Sequence, residues 1–316
     1  MTGPPFVIAH RGASGYLPEH TREAKVLAYG QGADYLEQDV VATADGELVV
    51  LHDVRLDDVT DVARRFPKRR RSDGRYYVID FTLDELRTLR VIERRQPGTD
   101  RRVFPGRFPD DDVEFRIVTL DEELRLIRGL NAATGRAVGV YPEIKEPAFH
   151  REHGIDLAAG VLEALARHGY TEPEDDAVVQ CFDADELKRC RYELGTRLRL
   201  AQLSEEGPVG GVDFTAMAQY AQIWAPHYSA LLDLGAAEGE IRVAEAARAA
   251  SRACLELHPY TFRADAVPEY FADVGQQLEF FYAEVGVDAV FCDQPDVAVE
   301  VRGRTAGRPP VPPSVR

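Results

Sequence analysis

Nine short β-rich runs punctuate this chain, at 6–9, 35–41, 48–51, 139–144, 177–182, 198–203, 222–225, 253–257 and 289–292, and helical stretches separate most of them. Alternation of this kind builds βαβ units around a parallel sheet. The second and third runs depart from it, since only residues 42–47 join them, too few for a parallel crossover, so they must form a hairpin. Asp45-Gly46 is the favoured pair of a two-residue type I′ turn, which sets position 44 opposite 47, 43 opposite 48 and 39 opposite 52. Removing the return arm leaves eight parallel strands, the number in a (β/α)8 TIM barrel. The expected fold is therefore an α/β barrel with a β-hairpin after its second strand.

Residues 1–301 read as one barrel domain, which a 45% hydrophobic content is ample to fill. Thr119-Leu120-Asp121-Glu122 and Asp183-Ala184-Asp185-Glu186 match the capping box that opens a helix. Thr82-Leu83-Asp84-Glu85 repeats that signal inside a segment of about 54–114, too long for a loop, which reads as an insertion of short helices and turns over one barrel mouth. The stretch 302–316, rich in Arg and Pro, reads as a disordered tail.

A formal charge of −16 opposes binding to nucleic acid or an anionic membrane surface and favours an enzyme acting on a small molecule. An anionic substrate would need positive charge supplied inside the site. No apolar stretch approaches the roughly 18–20 residues that span a bilayer, so stable membrane insertion is not expected. The first residues carry no export signal, which reads as cytoplasmic for the chain as given, or periplasmic or secreted for a mature form. Cys181, Cys190, Cys254 and Cys292 lack the spacing of a disulfide framework or a zinc site and read as reduced thiols.

Four scattered segments end hydrophobic runs on groups suited to a phosphate: His10-Arg11-Gly12, Glu37-Gln38-Asp39, His52-Asp53 and Glu143-Ile144-Lys145. Residues two apart in a strand share a face about 7 Å apart, so Glu37 projects with Asp39 and Glu143 with Lys145. The hairpin register adds His52 to the face of Asp39. Carboxylates pointing into a barrel interior need a partner or a metal, and three of them, Glu37, Asp39 and Glu143, make an oxygen-rich pocket for a hard divalent cation such as Ca²⁺ or Mg²⁺. His10 and Arg11 follow the first strand, at the barrel end where such enzymes place their sites. His10 and His52 would supply the two proton-transferring groups that exchange one phosphate ester oxygen for another. Arg11 and Lys145 would compensate phosphate charge, while Gly12 and Gly15 free the loop to bring backbone N–H groups to an anion.

These segments resemble the glycerophosphodiester phosphodiesterase family, close to its bacterial periplasmic-type branch. The resemblance runs from Val7 to about Val301. It also rests on Leu17-Pro18-Glu19-His20-Thr21, Gln180-Cys181-Phe182, His258-Pro259-Tyr260-Thr261 and Asp293-Gln294-Pro295-Asp296, and on Asp73-Gly74-Arg75-Tyr76-Tyr77 and Phe104-Pro105-Gly106-Arg107-Phe108-Pro109 in the insertion. It implies hydrolysis of glycerophosphodiesters to sn-glycerol 3-phosphate and an alcohol, with Glu37, Asp39 and Glu143 on the metal, Ca²⁺ ahead of Mg²⁺, His10 and His52 as acid and base, and Arg11 and Lys145 on the phosphate. The family's usual mechanism attacks phosphorus with the substrate's own 2-hydroxyl and passes through a cyclic phosphate. His20 stands where the family usually has Asn, a departure that touches loop geometry.

Phe182, Trp224 and His258 lie near strand ends as candidates to line the substrate pocket, with packing as the competing reading for Phe182 and Trp224 and a structural hydrogen-bonding role for His258. Three rivals stand beside the main reading. A helical His-Asp metal phosphohydrolase is disfavoured by the strand-like Val49-Val50-Leu51 run. A lysophospholipase D or phosphatidylinositol phospholipase C-like enzyme lacks an apolar membrane-docking segment here. A non-catalytic barrel would be expected to have lost one of the five central acids and histidines.

Overall fold

The computed structural model describes residues 3–205, 212–235 and 241–305. Its strands are β1 (Phe6–Ala9), β2 (Tyr35–Ala42), β3 (Leu48–Val50), β4 (Gly139–Ile144), β5 (Val178–Cys181), β6 (Arg199–Ser204), β7 (Ile223–Pro226), β8 (Leu232–Leu234), β9 (Ile241–Val243), β10 (Glu256–Leu257) and β11 (Ala289–Cys292). Parallel pairing runs β10-β7-β6-β5-β4-β2-β1-β11, with β3 off this path on β2. Beyond β10 the chain hydrogen-bonds to β11, with Asp288 N–H donating to Leu257 O at 3.0 Å and Phe291 N–H to Pro259 O at 3.1 Å. Those bonds close the ring, and the fold is the expected TIM barrel.

Side-chain parity divides the molecule into three cores. Ile8, Tyr35, Tyr141, Val178, Ile223 and Phe291 point inward and fill the barrel below the site. Their neighbours Ala9, Leu36, Val140, Val179 and Trp224 point outward and pack under the surrounding helices. The insertion has its own core, in which Leu56, Tyr76, Phe81 and Leu86 pack on Val41, Val49 and Leu51 of the hairpin. Each such fully buried side chain contributes roughly 2 kcal/mol, enough to seat the insertion's short helices Val62–Arg65 and Leu83–Leu86 on the barrel. Capping boxes form at Thr82 and Thr119, while Asp183 caps its helix by accepting from Asp185 and Glu186 N–H.

The hairpin is one residue out of the expected register. Val40 faces Val50 and Ala42 faces Leu48, while Thr43 N–H donates to Glu47 O at 3.0 Å. Ala44, Asp45 and Gly46 thus make a three-residue loop, with Gly46 at φ +80° in the left-handed position that follows a type I turn. Asp39 therefore lies opposite Leu51, whose N–H donates to its carbonyl at 2.9 Å, and His52 falls just past the ladder.

Two further differences concern later segments. The antiparallel pair β8 and β9 was not foreseen. The last helix, Pro295–Thr305, takes in residues assigned to the tail, and Arg302 there donates to Pro5 O at 3.1 Å and pairs with Asp34. Residues 306–316 lie outside the described residues. No described helix is long and apolar enough to cross a membrane.

Candidate active site

Period-two alternation carries the chemistry into one cavity. Ile8, Tyr35, Tyr141, Val178 and Phe291 point into the barrel, so His10, Glu37 and Asp39, Glu143, Gln180 and Asp293 continue the same rows upward to its mouth. His10, Arg11, Glu37, Asp39, His52, Glu143 and Lys145 all border a hollow of about 110 Å³. The seven expected residues are therefore brought together. His52 joins them by a bend after Leu51, not by the register argued from the turn.

The acids crowd one another. Burial and the neighbouring Asp39 charge push the Glu37 carboxyl well above the usual range. Glu143 is pushed up to about 8 by burial, with Lys145 opposing and Asp39 adding to the rise. Asp39 itself is held well below its usual value, because Lys145, His52 and His20 together outweigh its burial. Such repulsion among buried carboxylates is what a divalent cation relieves. Donor atoms of His20, Glu37 and Asp39 lie within 4.8 Å of one another, and the buried Asp39 Oδ1 and Gln180 Oε1 have no hydrogen-bond partner among the described residues. The donor set fits a hard divalent ion. Glu143 is turned to Lys145 at 2.8 Å, and His20, expected to affect only loop geometry, instead bonds Asp39 Oδ2 through Nε2 at 2.6 Å.

Each candidate histidine has its own carboxylate. His10 Nδ1 meets Asp293 Oδ1 at 2.6 Å, and His52 Nδ1 meets Asp53 Oδ1 at 3.0 Å. Burial and Arg11 pull the His10 pKa down to about 3, and burial, Arg11 and Lys145 pull that of His52 to about 4. Both shifts favour the neutral ring while no phosphate faces Arg11 and Lys145. A neutral ring with Nδ1 against a carboxylate carries its proton there and keeps Nε2 as an acceptor.

Arg11 sits at φ +57° and donates its N–H to Glu37 Oε2 at 2.6 Å, while its guanidinium reaches Glu19 at 3.0 Å and Asp39 at 3.5 Å. Gly12 follows at φ +85°, where a Cβ would lie 2.8 Å from the Ala24 backbone. The expected anion cradle does not form, because Gly12 N–H bonds Ala9 O at 3.1 Å and Gly15 N–H bonds Asp293 O at 2.8 Å. The positive charge bordering the cavity is that of side chains, Arg11, Lys145 and Arg263.

Of the three candidate lining residues, only Phe182 borders the cavity, half-exposed beneath Lys145 Nζ at 5.8 Å. Trp224 alternates outward between Ile223 and Ala225 and packs on Phe214 in the outer core, its Nε1 donating to Ser204 Oγ at 2.9 Å. His258 is held deeper, between Tyr141 Oη at 2.9 Å and Glu256 at 3.2 Å. Tyr260 and Arg263 line the cavity and were given no role from the sequence, nor was Gln180, whose Nε2 donates to Glu37 at 3.2 Å. Tyr260 and Gln180 stood in quoted motifs, and strand parity identifies Gln180 once β5 is placed.

Fold and site together define a barrel enzyme with paired histidines over a cluster of acids. Residues 10–297 match the glycerophosphoryl diester phosphodiesterase family. A glycerophosphodiester phosphodiesterase of Haemophilus influenzae is 43% identical over 95% of this chain and 90% of its own length. One of Treponema pallidum is 37% identical over 95% and 92%. Among solved structures, an Oleispira antarctica phosphodiesterase in complex with its product sn-glycerol-3-phosphate aligns with a TM-score of 0.65 at 21% identity, covering 94% of this chain and 96% of that one. The chain belongs to the glycerophosphoryl diester phosphodiesterase family. It is a phosphodiesterase enzyme, as its motifs implied.

Proposed function

We propose that the chain hydrolyses glycerophosphodiesters, glycerophosphocholine and glycerophosphoethanolamine among them, to sn-glycerol 3-phosphate and the free alcohol. The observation that carries this is the pair of His–Asp contacts at one acid-lined barrel mouth. Curated relatives of that activity support the substrate class, and the neighbour that holds sn-glycerol-3-phosphate supports the product.

Glu37, Asp39 and Glu143, with His20 beside them, are the proposed ligands of a divalent cation, Ca²⁺ ahead of Mg²⁺. When bound, the ion compensates charge on the phosphate and lowers the pKa of a nearby hydroxyl. Arg11 and Lys145 offer cationic heads to the non-bridging oxygens. One histidine Nε2 takes the proton of the substrate's 2-hydroxyl as that oxygen bonds to phosphorus. The other, which takes up a proton as the substrate's phosphate offsets the cationic heads beside it, delivers that proton to the departing alcohol oxygen as its P–O bond breaks, which leaves a cyclic phosphate. The roles then reverse, and water opens the ring to sn-glycerol 3-phosphate. The tether between hydroxyl and phosphorus supplies much of the orientation, so no protein nucleophile is required.

The test is release of sn-glycerol 3-phosphate from both diesters, by a coupled assay, with Ca²⁺ or Mg²⁺ and again after chelation. Metal-dependent release is expected. A folded sample that releases none with either ion defeats the proposal.

A further inference from the structure

We infer that Arg94 and Arg107, both carried by the insertion, are positioning residues that set the two histidines, Arg94 by holding Asp53 behind His52 and Arg107 by holding Asp293 behind His10. The inference rests on the acid–base reading of those histidines.

The two arginines occupy parallel places. Arg94 Nη1 donates to Asp53 Oδ2 at 2.6 Å, on the oxygen that His52 does not use. Its other nitrogens form a fork on Glu19, at 2.6 Å and 2.9 Å, and Glu19 in turn takes Arg11. Arg107 Nη2 donates to Asp293 Oδ2 at 2.6 Å, again on the oxygen away from its histidine, where Arg263 Nε adds a longer bond at 3.0 Å, and the Arg107 fork sits on Asp265 at 2.7 Å and 3.0 Å. Arg107 Nη1 is fixed by Ser14 O at 3.1 Å. Both guanidiniums border a second hollow of about 220 Å³ that also touches His10 and His52.

A carboxylate with one oxygen on an imidazole and the other on water is free to turn, and the ring turns with it. A bidentate guanidinium anchored elsewhere removes that freedom and keeps the acid ionised. Asp53 and Asp293 are both held below the usual carboxylate range; burial opposes this, His52 and Arg94 bring it about at Asp53, and Arg263, His10 and Arg107 do so at Asp293. The insertion is thus part of the reacting apparatus while contributing no group that touches the reacting atoms.

The test compares R94M, R107M, H10A and H52A in the full chain with Ca²⁺, on glycerophosphocholine and on sn-glycero-3-phospho-p-nitrophenol. Thermal unfolding checks folding, and R94K and R107K replace either Met variant that does not fold. On glycerophosphocholine each Arg variant is expected to lose about 30-fold or more in kcat, with KM within about 3-fold. A p-nitrophenolate leaving group needs no acid, so single-turnover release should recover in only one of the two Arg variants, the one behind the acid. Equal losses on both substrates in both variants, or a loss carried by KM, would assign the arginines to docking the insertion or holding substrate and overturn the inference. Turnover of glycerophosphocholine in H10A or H52A defeats the acid–base reading first, whatever the Arg variants do.

Discussion

Lys25 and Glu123 meet at 2.6 Å directly behind the strand that carries Glu37 and Asp39, and both side chains are sealed from solvent. Lys25 Nζ also donates to the Glu37 carbonyl, and Gln38 Nε2 donates to the same Glu123 oxygen at 2.9 Å. The outward face of β2 is thereby pinned where its inward face holds the acids. Replacing Lys25 by Met leaves the buried Glu123 without its cation, at an expected cost of about 3–5 kcal/mol in urea unfolding. Replacing both partners by apolar residues should recover much of that loss. A single variant as stable as the parent would show that the pair does not anchor the strand.

His20 Nε2 fixes Asp39 Oδ2, so the ring sets the direction of the remaining Asp39 oxygen. His20→Leu is expected to weaken Ca²⁺ binding, measured by calorimetry, by about 10–100-fold. Glu37→Gln should weaken it further. Parent-like affinity in the Glu37 variant would remove that residue from the cation site.

Glu93 lies buried in the insertion, and burial lifts its pKa to about 7, against the partial opposition of Arg107. A carboxyl whose folded pKa is raised contributes no penalty below its ordinary value near 4.5, and costs stability as pH rises through 7. The cost at pH 8 is on the order of 2–3 kcal/mol. Glu93→Gln should therefore raise the thermal midpoint more at pH 8 than at pH 5. An equal change at the two pH values would mean that Glu93 ionises freely in the folded protein.

Gly12 has both a left-handed φ and no room for a Cβ against Ala24. Gly12→Ala is expected to cost about 2 kcal/mol or more and to displace the His10–Arg11 corner, so that kcat falls along with the unfolding midpoint. Full activity in that variant would mean that the corner adapts.

Much of the site was legible because strand parity is a local rule. Reading Glu37 and Asp39 on one face needs only the pleat, and placing His10 at the mouth needs only the order of elements. What failed was a count of one. The Asp45-Gly46 pair was assigned a two-residue turn, but the chain uses three residues with Gly46 left-handed, and one residue exchanges the faces of the return arm. The same parity rule, applied to β7, turns Trp224 away from the pocket. The partners of the histidines were not legible in the same way. Asp293 was quoted in a motif without a role, since nothing local joins it to His10, 283 residues away. Arg94 and Arg107 sat among many insertion arginines, and only the folded contacts single them out.

The contact between His10 and Asp293 spans the first and last strands of the barrel, which are themselves neighbours. During synthesis the histidine emerges at the start and its carboxylate near the end, so the ribosome has made most of the enzyme before that ring has its partner. A chain cut short before β11 would hold every acid of the cation cluster and both histidines, yet lack this contact and the strand that closes the ring. The connectivity thus leaves the pairing of His10 with Asp293, and the closing of the ring, to the last part of the chain to be made.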